Sequence, residues 1–337
     1  MLLEKTLNTL EYYVIKEMLA ELTSCEIARE LIRNLQPMTD LEAVETALRE
    51  TEDAVLFIIK RGMPPLSGVK DIRRAIRRGA SGGMMSFSEL LSVSAILRAC
   101  RRTINYAASV EDDTKNSILE YISQLTENRY LEEEINHCIV SEEEIADEAS
   151  PELYTIRRQI LSAQNSIKEK LNDMLHSSKY AKSIQDAVVT MRGDRYCIPV
   201  KTEFRGEIQG IVHDTSSSGQ TLFVEPAFVV EANNRIRELK VRETEEITRI
   251  VTELSAKVGE NESILLQNLR ILSFLDFTFA KARLALDQKA VRPFVNTSGK
   301  ISLLSARHPL IPKERVVPIT VFLSEKETML ITGPNTG

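Results

Sequence analysis

The sequence predicts a mainly α chain: a helical core, then long antiparallel helices carrying a small β-rich insert at their tip, then a strand-rich stretch. Three observations predict it. Apolar residues recur at intervals of three and four from Leu153 to Met174 and again from Ile236 to Phe279, longer than helices of small globular domains run. Between these seams lie four short β-like runs, each bounded by turn chemistry. After Arg292-Pro293 strand-like segments return and lead into Gly333-Pro334-Asn335-Thr336-Gly337.

Taken in order, residues 1–149 read as the helical core. Leu2, Leu7, Leu10, Val14, Met18 and Leu22 keep near-helical spacing, and Leu41, Val44, Leu48 and Val55 repeat it. Gly62-Met63-Pro64-Pro65 breaks the pattern before a short basic helix, Asp71 to Arg78, which Gly79 and Gly82-Gly83 stop. Ser86 and Glu89 form a capping box, hydroxyl at the N-cap and carboxylate three residues on, opening a helix to about Ile104. Residues 150–178 read as the first long helix, started by Ser150-Pro151, since proline at the first helical position loses no hydrogen bond. The insert, 179–230, contains runs at Ala187–Met191, Tyr196–Val200, Ile208–Val212 and Thr221–Val224, with Pro199 expected at an edge or bulge. The second long helix covers 231–287, interrupted at most near Gly259, and 288–337 opens a new strand-containing domain. Its expected strands are Ile301–Leu304, Val316–Leu323 and Met329–Thr332.

Composition narrows the function classes. No segment approaches the ~18 apolar residues of a membrane span, and the first residues lack a signal-peptide layout, so the expected location is cytoplasmic. Cys25, Cys100, Cys138 and Cys197 are scattered with no C-x-x-C pair, which points to buried reduced thiols and to no metal site. Net charge is −6, but it is unevenly placed: Lys60–Arg102 holds ten bases against two acids, and Glu111–Glu152 fourteen acids against two bases. Such asymmetry fits either a polyanion-facing patch or mutual neutralisation within a helical domain.

Met329 to Gly337 reads as an apolar strand entering the first half of a phosphate-binding loop. That motif is Gly, four residues, Gly, Lys, then Ser or Thr. Gly333 serves as the first glycine, with Pro334, Asn335, Thr336 and Gly337 as spacers; the lysine that holds the terminal phosphates and the hydroxyl that ligates magnesium are not in this sequence. The expectation is the front part of a nucleotide-hydrolysing protein, itself without ATPase activity. The same five residues also make an ordinary turn.

Several stretches together resemble the bacterial MutS superfamily, and within it the branch called MutS-two. Ile145-Ala146-Asp147-Glu148-Ala149-Ser150-Pro151-Glu152-Leu153 followed by Ile156-Arg157 is similar to that family's entry into its first lever helix. Arg195-Tyr196-Cys197-Ile198-Pro199-Val200-Lys201, Gly210-Ile211-Val212-His213-Asp214 and Ser216-Ser217-Ser218-Gly219-Gln220-Thr221-Leu222-Phe223-Val224-Glu225-Pro226 resemble its clamp. Ala306-Arg307-His308-Pro309-Leu310 resembles the element ahead of the ATPase loop, and Pro65 to Arg73 matches the N-terminal domain more loosely. The resemblance implies that 288–337 is the edge of an α/β ATPase domain. It also implies a longer parent: a cytoplasmic homodimer using ATP and magnesium, acting on branched DNA to suppress recombination or on stalled or collided ribosomes, with nuclease activity in a C-terminal Smr-type domain. For the present chain no cofactor and no catalytic residue are expected.

Backbone phosphates are bound by Lys, Arg, hydroxyls and free amides. The expected nucleic-acid contacts are therefore Arg192, Arg195, Lys201, Arg205 and His213, with Ser216, Ser217, Ser218 and Gly219. Asp186, Asp194, Glu203, Glu207 and Asp214 nearly balance those bases, and His213-Asp214 also suits a turn. The basic cluster Arg73, Arg74, Arg77, Arg78 is a further surface of the same kind, equally explained as a solvated face. A coiled-coil scaffold without nucleic-acid binding is the alternative function.

Overall fold

The structure is a computed structural model and describes residues 2–108, 116–193, 195–325 and 327–332. The described residues form eleven α-helices. The first six are α1 (Leu2–Thr9), α2 (Tyr12–Glu21), α3 (Glu26–Arg33), α4 (Leu41–Arg61), α5 (Arg73–Ala80) and α6 (Phe87–Ala108). The others are α7 (Ser117–Ile122), α8 (Arg129–Cys138), α9 (Pro151–His176), α10 (Ala227–Glu260) and α11 (Glu262–Gln288). Strands β1 (Thr190–Arg192), β2 (Arg195–Lys201), β3 (Gly210–Thr215) and β4 (Thr221–Pro226) lie between α9 and α10, and β5 (Ile301–Ala306) and β6 (Ile319–Leu323) follow α11. The fold is mainly α with small antiparallel sheets, as the periodicities require. The chain divides into two compact units, one of Met1–Gly82, Leu91–Glu133 and Lys257–Gly337, the other of Gly83–Leu90 and Glu134–Ala256. The 231–287 seam is thus shared between two packing environments.

In the helical unit α11 is central. Leu265, Leu269, Ile271, Leu272, Leu275, Phe279 and Ala280 are buried around its circumference, against α2, α3, α4, α5 and α7. A helix apolar on nearly all sides belongs in a core. One polar residue on it serves a neighbouring helix. Asp276, 4% exposed, accepts from the Ser24 amide at 2.8 Å and the Cys25 amide at 2.9 Å. Those donors immediately precede α3, whose N-cap is the Cys25 side chain accepting from Ala28 N, so a carboxylate from a remote helix anchors the entry to α3; burial raises the Asp276 pKa. The seam from Leu2 to Leu22 is two helices rather than one, because Glu11 takes φ 52°, in the left-handed region. The long seam 231–287 also breaks, at Asn261, whose side chain bonds the Lys257 carbonyl at 2.9 Å and Asn128 at 3.1 Å. The break falls two residues past Gly259, where the sequence allowed an interruption, and Gly259 has a packing role of its own. It allows α10 to meet the end of α5, where a Cβ would lie 2.7 Å from Ala80 Cα. The opposed charge runs meet in part: Arg101 donates to Glu132 at 2.9 and 3.1 Å and Arg98 at 3.4 Å. All four cysteines are buried, and burial raises the thiol pKa to about 11 at Cys25 and about 12 at Cys100. Strands β5 and β6 pair antiparallel, whereas Met329–Thr332, expected as a strand, pairs with nothing among the described residues and is irregular. Apolar sequence alone does not make a strand without a partner for its backbone. The partial phosphate loop Gly333–Gly337 lies outside the described residues.

In the second unit α9 and α10 run antiparallel, since Ser150, Arg157 and Ile167 advance along the chain while their neighbours Glu246, Glu243 and Val229 or Ile236 retreat along α10. The capping box is present, with Ser86 N donating to Glu89 Oε2 at 2.8 Å and Glu89 N to Ser86 Oγ at 3.2 Å. Ser150 caps α9 by accepting from Leu153 N at 3.0 Å, and its hydroxyl donates to Glu246 Oε1 on α10 at 2.6 Å. The four strands form one sheet in the order β1-β2-β4-β3. Its apolar face (Ile198, Val200, Leu222, Val224) packs on Ile167 and Leu171 of α9 and Val229 and Ile236 of α10. Pro199, expected at an edge or bulge, sits in the inner strand β2, opposite Phe223. The flank of β2 away from β4 is shared by two short segments, β1 opposite 195–197 and Ser183–Gln185 opposite 199–201, so the missing N–H faces a broken margin.

The α9–α10 connection has a pH signature. Glu246 is held down to about 2, mainly by its hydrogen bond from Arg249, with burial opposing and Ser150 assisting. An unfolded glutamate titrates near ~4.3, so this stabilisation is complete above that pH and is lost as pH falls towards 2. Thermal unfolding followed over this window should show a steeper acid loss for the parent than for Glu246→Gln, which retains no titratable group there.

Candidate nucleic-acid interface

The strand order separates the expected contact residues into two groups. In β2 the chain runs from Arg195 to Lys201, and β4 runs back from Thr221 to Pro226, with Lys201 opposite Thr221 and Ile198 opposite Val224. Arg192, Arg195 and His213 therefore belong with the Glu225 side of the sheet, and Lys201, Arg205 and Ser216–Gly219 with the Thr221 end.

At the first group the bases are occupied. Glu225, 1% exposed, is met by Arg195 Nη1 at 3.4 Å, by His213 Nε2 at 2.6 Å and by Asn233 Nδ2 of α10 at 2.9 Å. Such a carboxyl group needs these donors because it has left water. His213 reaches it from a β-bulge: Val212 pairs with Val224 and Asp214 with Phe223, leaving His213 as the extra residue. Arg192 stacks on Phe223, its guanidinium 3.8 Å from the ring centroid, and its Nε lies 3.1 Å from Asp214 Oδ2. Cys197, buried beside this group, has its thiol pKa raised by burial and then by Glu225. The arrangement ties these side chains to carboxylates of the sheet. Sequence alone placed Arg192, Arg195 and His213 as contacts because it showed the bases and not their partners; Asn233, well separated from them along the chain and on another element, gave no signal.

The second group is built differently. The chain leaves β2 at Lys201 into a 3-10 turn, Thr202–Phe204, followed by Arg205. Thr202 ties that turn to the β3–β4 loop, donating from Oγ1 to the Gly219 carbonyl at 2.7 Å and from N to the Gln220 carbonyl at 3.1 Å. Within the loop Gly219 takes φ 68°, and its amide bonds the Ser216 carbonyl at 2.8 Å. Ser216 Oγ accepts from Thr221 N at 3.0 Å and lies 3.3 Å from Ser218 Oγ. The Gly219 amide is consequently committed to the turn, not offered outward, while Ser217, Ser218 and Gly219 are exposed. Among the described residues neither Lys201 nor Arg205 forms an ion pair. Glu203 is exposed nearby, and Glu207 accepts from Ser183 Oγ. Sequence reading missed Lys182: Ser183 bonds Lys201 across the margin of β2, which brings Lys182, exposed, opposite Thr202. What this end can do chemically is hold an extended anion by two or three cations and hydroxyls.

No family model matches the chain. Single curated relatives do, among them several that carry the printed name Endonuclease MutS2. The chain is 49% identical to that of Ruminiclostridium cellulolyticum over 336 residues and 48% identical to that of Acetivibrio thermocellus over 337. A third, from Clostridioides difficile, is 42% identical over 337 residues. By sequence the chain is similar to MutS2 proteins. Each match covers 99% of the chain, which itself spans 42 or 43% of the length of those relatives. The matches thus include the sheet and both of its ends. No helix among the described residues is long and apolar enough to cross a membrane.

The bulge and its buried carboxyl group depend on Gly210, opposite Pro226: a Cβ there would lie 2.1 Å from the Glu225 carbonyl oxygen. Gly210→Ala must displace backbone, and overpacking of this kind costs about 1–3 kcal/mol. Hydrogen exchange should show faster exchange of the β3 and β4 amides in this variant while α11 amides stay protected.

Proposed function

We propose that this chain is the body and clamp of a longer MutS-type protein, and that the clamp holds nucleic-acid backbone at the Lys201 end of its sheet. The carrying observation is the unequal fate of the bases. Arg192, Arg195 and His213 are drawn to Asp214 and Glu225, whereas Lys201 and Arg205, beside the exposed Ser217 and Ser218 and near Lys182, meet no carboxylate among the described residues. Lysine, arginine and hydroxyl groups meet phosphate oxygens, so the binding proposed is to backbone and shape.

The resemblance supplies the targets, branched DNA and stalled or collided ribosomes, which share phosphate-backbone chemistry. It also supplies the wider setting of an ATP- and magnesium-dependent homodimer and the endonuclease for which the relatives are named. In that setting ATP would be held by a completed loop beginning at Gly333; every residue assigned here acts without it.

Titration of the 337-residue chain against branched DNA, duplex DNA and ribosomes at several salt concentrations tests the proposal. Each phosphate contact on B-DNA contributes about −0.9 to the slope of log K against log salt. Lys201→Glu with Arg205→Glu should flatten the duplex slope by about 2 and weaken binding to all three partners. Equal affinity and slope in parent and variant would instead favour a scaffold with no nucleic-acid contact at the clamp.

A further inference from the structure

The helical unit carries a second cationic surface, on α5, that the clamp does not account for. This helix buries Ala75, Ile76 and Gly79 and turns Arg74, Arg77, Arg78 and Ala80 to solvent. It is firmly seated: it packs on α11, and its end at Gly79-Ala80 meets Gly259 so closely that no side chain fits between them. Arginines at positions i and i+3 or i+4 of one helix are neighbours, and like charges so placed destabilise it.

The four arginines are not compensated alike. Arg73 is satisfied, donating to Asp71 at 2.6 and 2.9 Å and to Glu30 at 3.1 Å. Arg77 and Arg78 lie in the last turn, where the helix dipole favours cations. Arg74 has neither advantage. It lies in the first turn, where the dipole disfavours a cation, it is exposed, and among the described residues it pairs with no carboxylate. Arg77, its i+3 neighbour, is likewise exposed; it feels the charge of Asp71 but forms no ion pair among the described residues. A local arrangement that is costly in the free chain and rigidly presented is suited to an anion supplied from outside. The exposed positions of α5 include no aromatic or branched aliphatic residue, the anchors around which protein-docking patches are built. Guanidinium pairs match phosphate oxygens bidentately.

We propose that the Arg74–Arg77 face of α5 is a second nucleic-acid backbone site, on the helical unit and separate from the clamp. This rests on the reading of the chain as a nucleic-acid-binding protein, and it assigns contacts to residues outside the sheet. The test uses the 337-residue chain, a duplex DNA oligonucleotide and a salt series. Arg74→Glu with Arg77→Glu should weaken binding and flatten the salt slope by about 1.8, the share of two phosphate contacts. Arg74→Gln with Arg77→Gln should show the same loss of slope without new repulsion, and Arg74→Lys with Arg77→Lys should restore most of it. Circular dichroism keeps folding separate from binding.

The α5 and clamp variants are measured singly and together. A slope changed by Lys201→Glu/Arg205→Glu and unmoved by either α5 pair overturns this site and leaves the clamp standing. The reverse pattern supports α5 and removes the clamp, and unchanged binding in every variant overturns both. Full affinity of the glutamine pair for DNA, with loss only of binding to an acidic polypeptide competitor, would assign the face to a protein partner and also overturn the proposal.

Discussion

A carboxyl group removed from water must recover its lost hydrogen bonds inside the protein, or it destabilises the fold by several kcal/mol. Glu225 is in that position at 1% exposure, and the clamp sheet is arranged around its needs. Strand β4 carries it, the β3 bulge delivers His213 to it, β2 delivers Arg195, and the first turns of α10 deliver Asn233. Four elements therefore converge on one side chain. Gly210 has to be a glycine because the Glu225 carbonyl occupies the space of any Cβ.

This one constraint redistributes the positive charge of the clamp. Residues that look equivalent in sequence become internal ties or outward groups according to their distance from Glu225 along β2 and β4. At the far end Lys201 and Arg205 form no ion pair among the described residues. There the Thr202 hydroxyl and amide, not the serines, hold the two loops in register, and they do so through carbonyls of Gly219 and Gln220. The serines above them are then presented on a fixed turn. A rigid turn loses less conformational entropy when it binds than a floppy one would.

The helical unit follows the same logic with a different residue. Asp276 sits on the central helix α11 and gives its oxygens to the amides just ahead of α3, so the core helix also anchors the entry to a surface helix. Asp276 accepts there two amides that would otherwise lack intrahelical partners. The Arg101–Arg98–Glu132 pairing shows part of the charge asymmetry neutralised inside this unit. On α5, Arg73 pairs with Asp71 and Glu30, whereas Arg74 and Arg77 form no ion pair among the described residues.

Local chemistry was legible in the sequence wherever a rule acts over a few residues. The Ser86–Glu89 box, the Ser150-Pro151 start of α9 and the turn at Gly219 all depend on neighbours within about five positions, and the structure shows each. The mainly α class followed from the long 3–4 periodicities for the same reason. What sequence could not settle were matters decided by a partner far along the chain. Pro199 is tolerated because the margin beside it is broken, and Met329–Thr332 finds no neighbour to pair with among the described residues. The same holds for the site. By itself the sequence determined which residue types could meet a phosphate backbone; tertiary structure alone decided which are free to do so, because a buried carboxyl group claims the nearest donors before any ligand can.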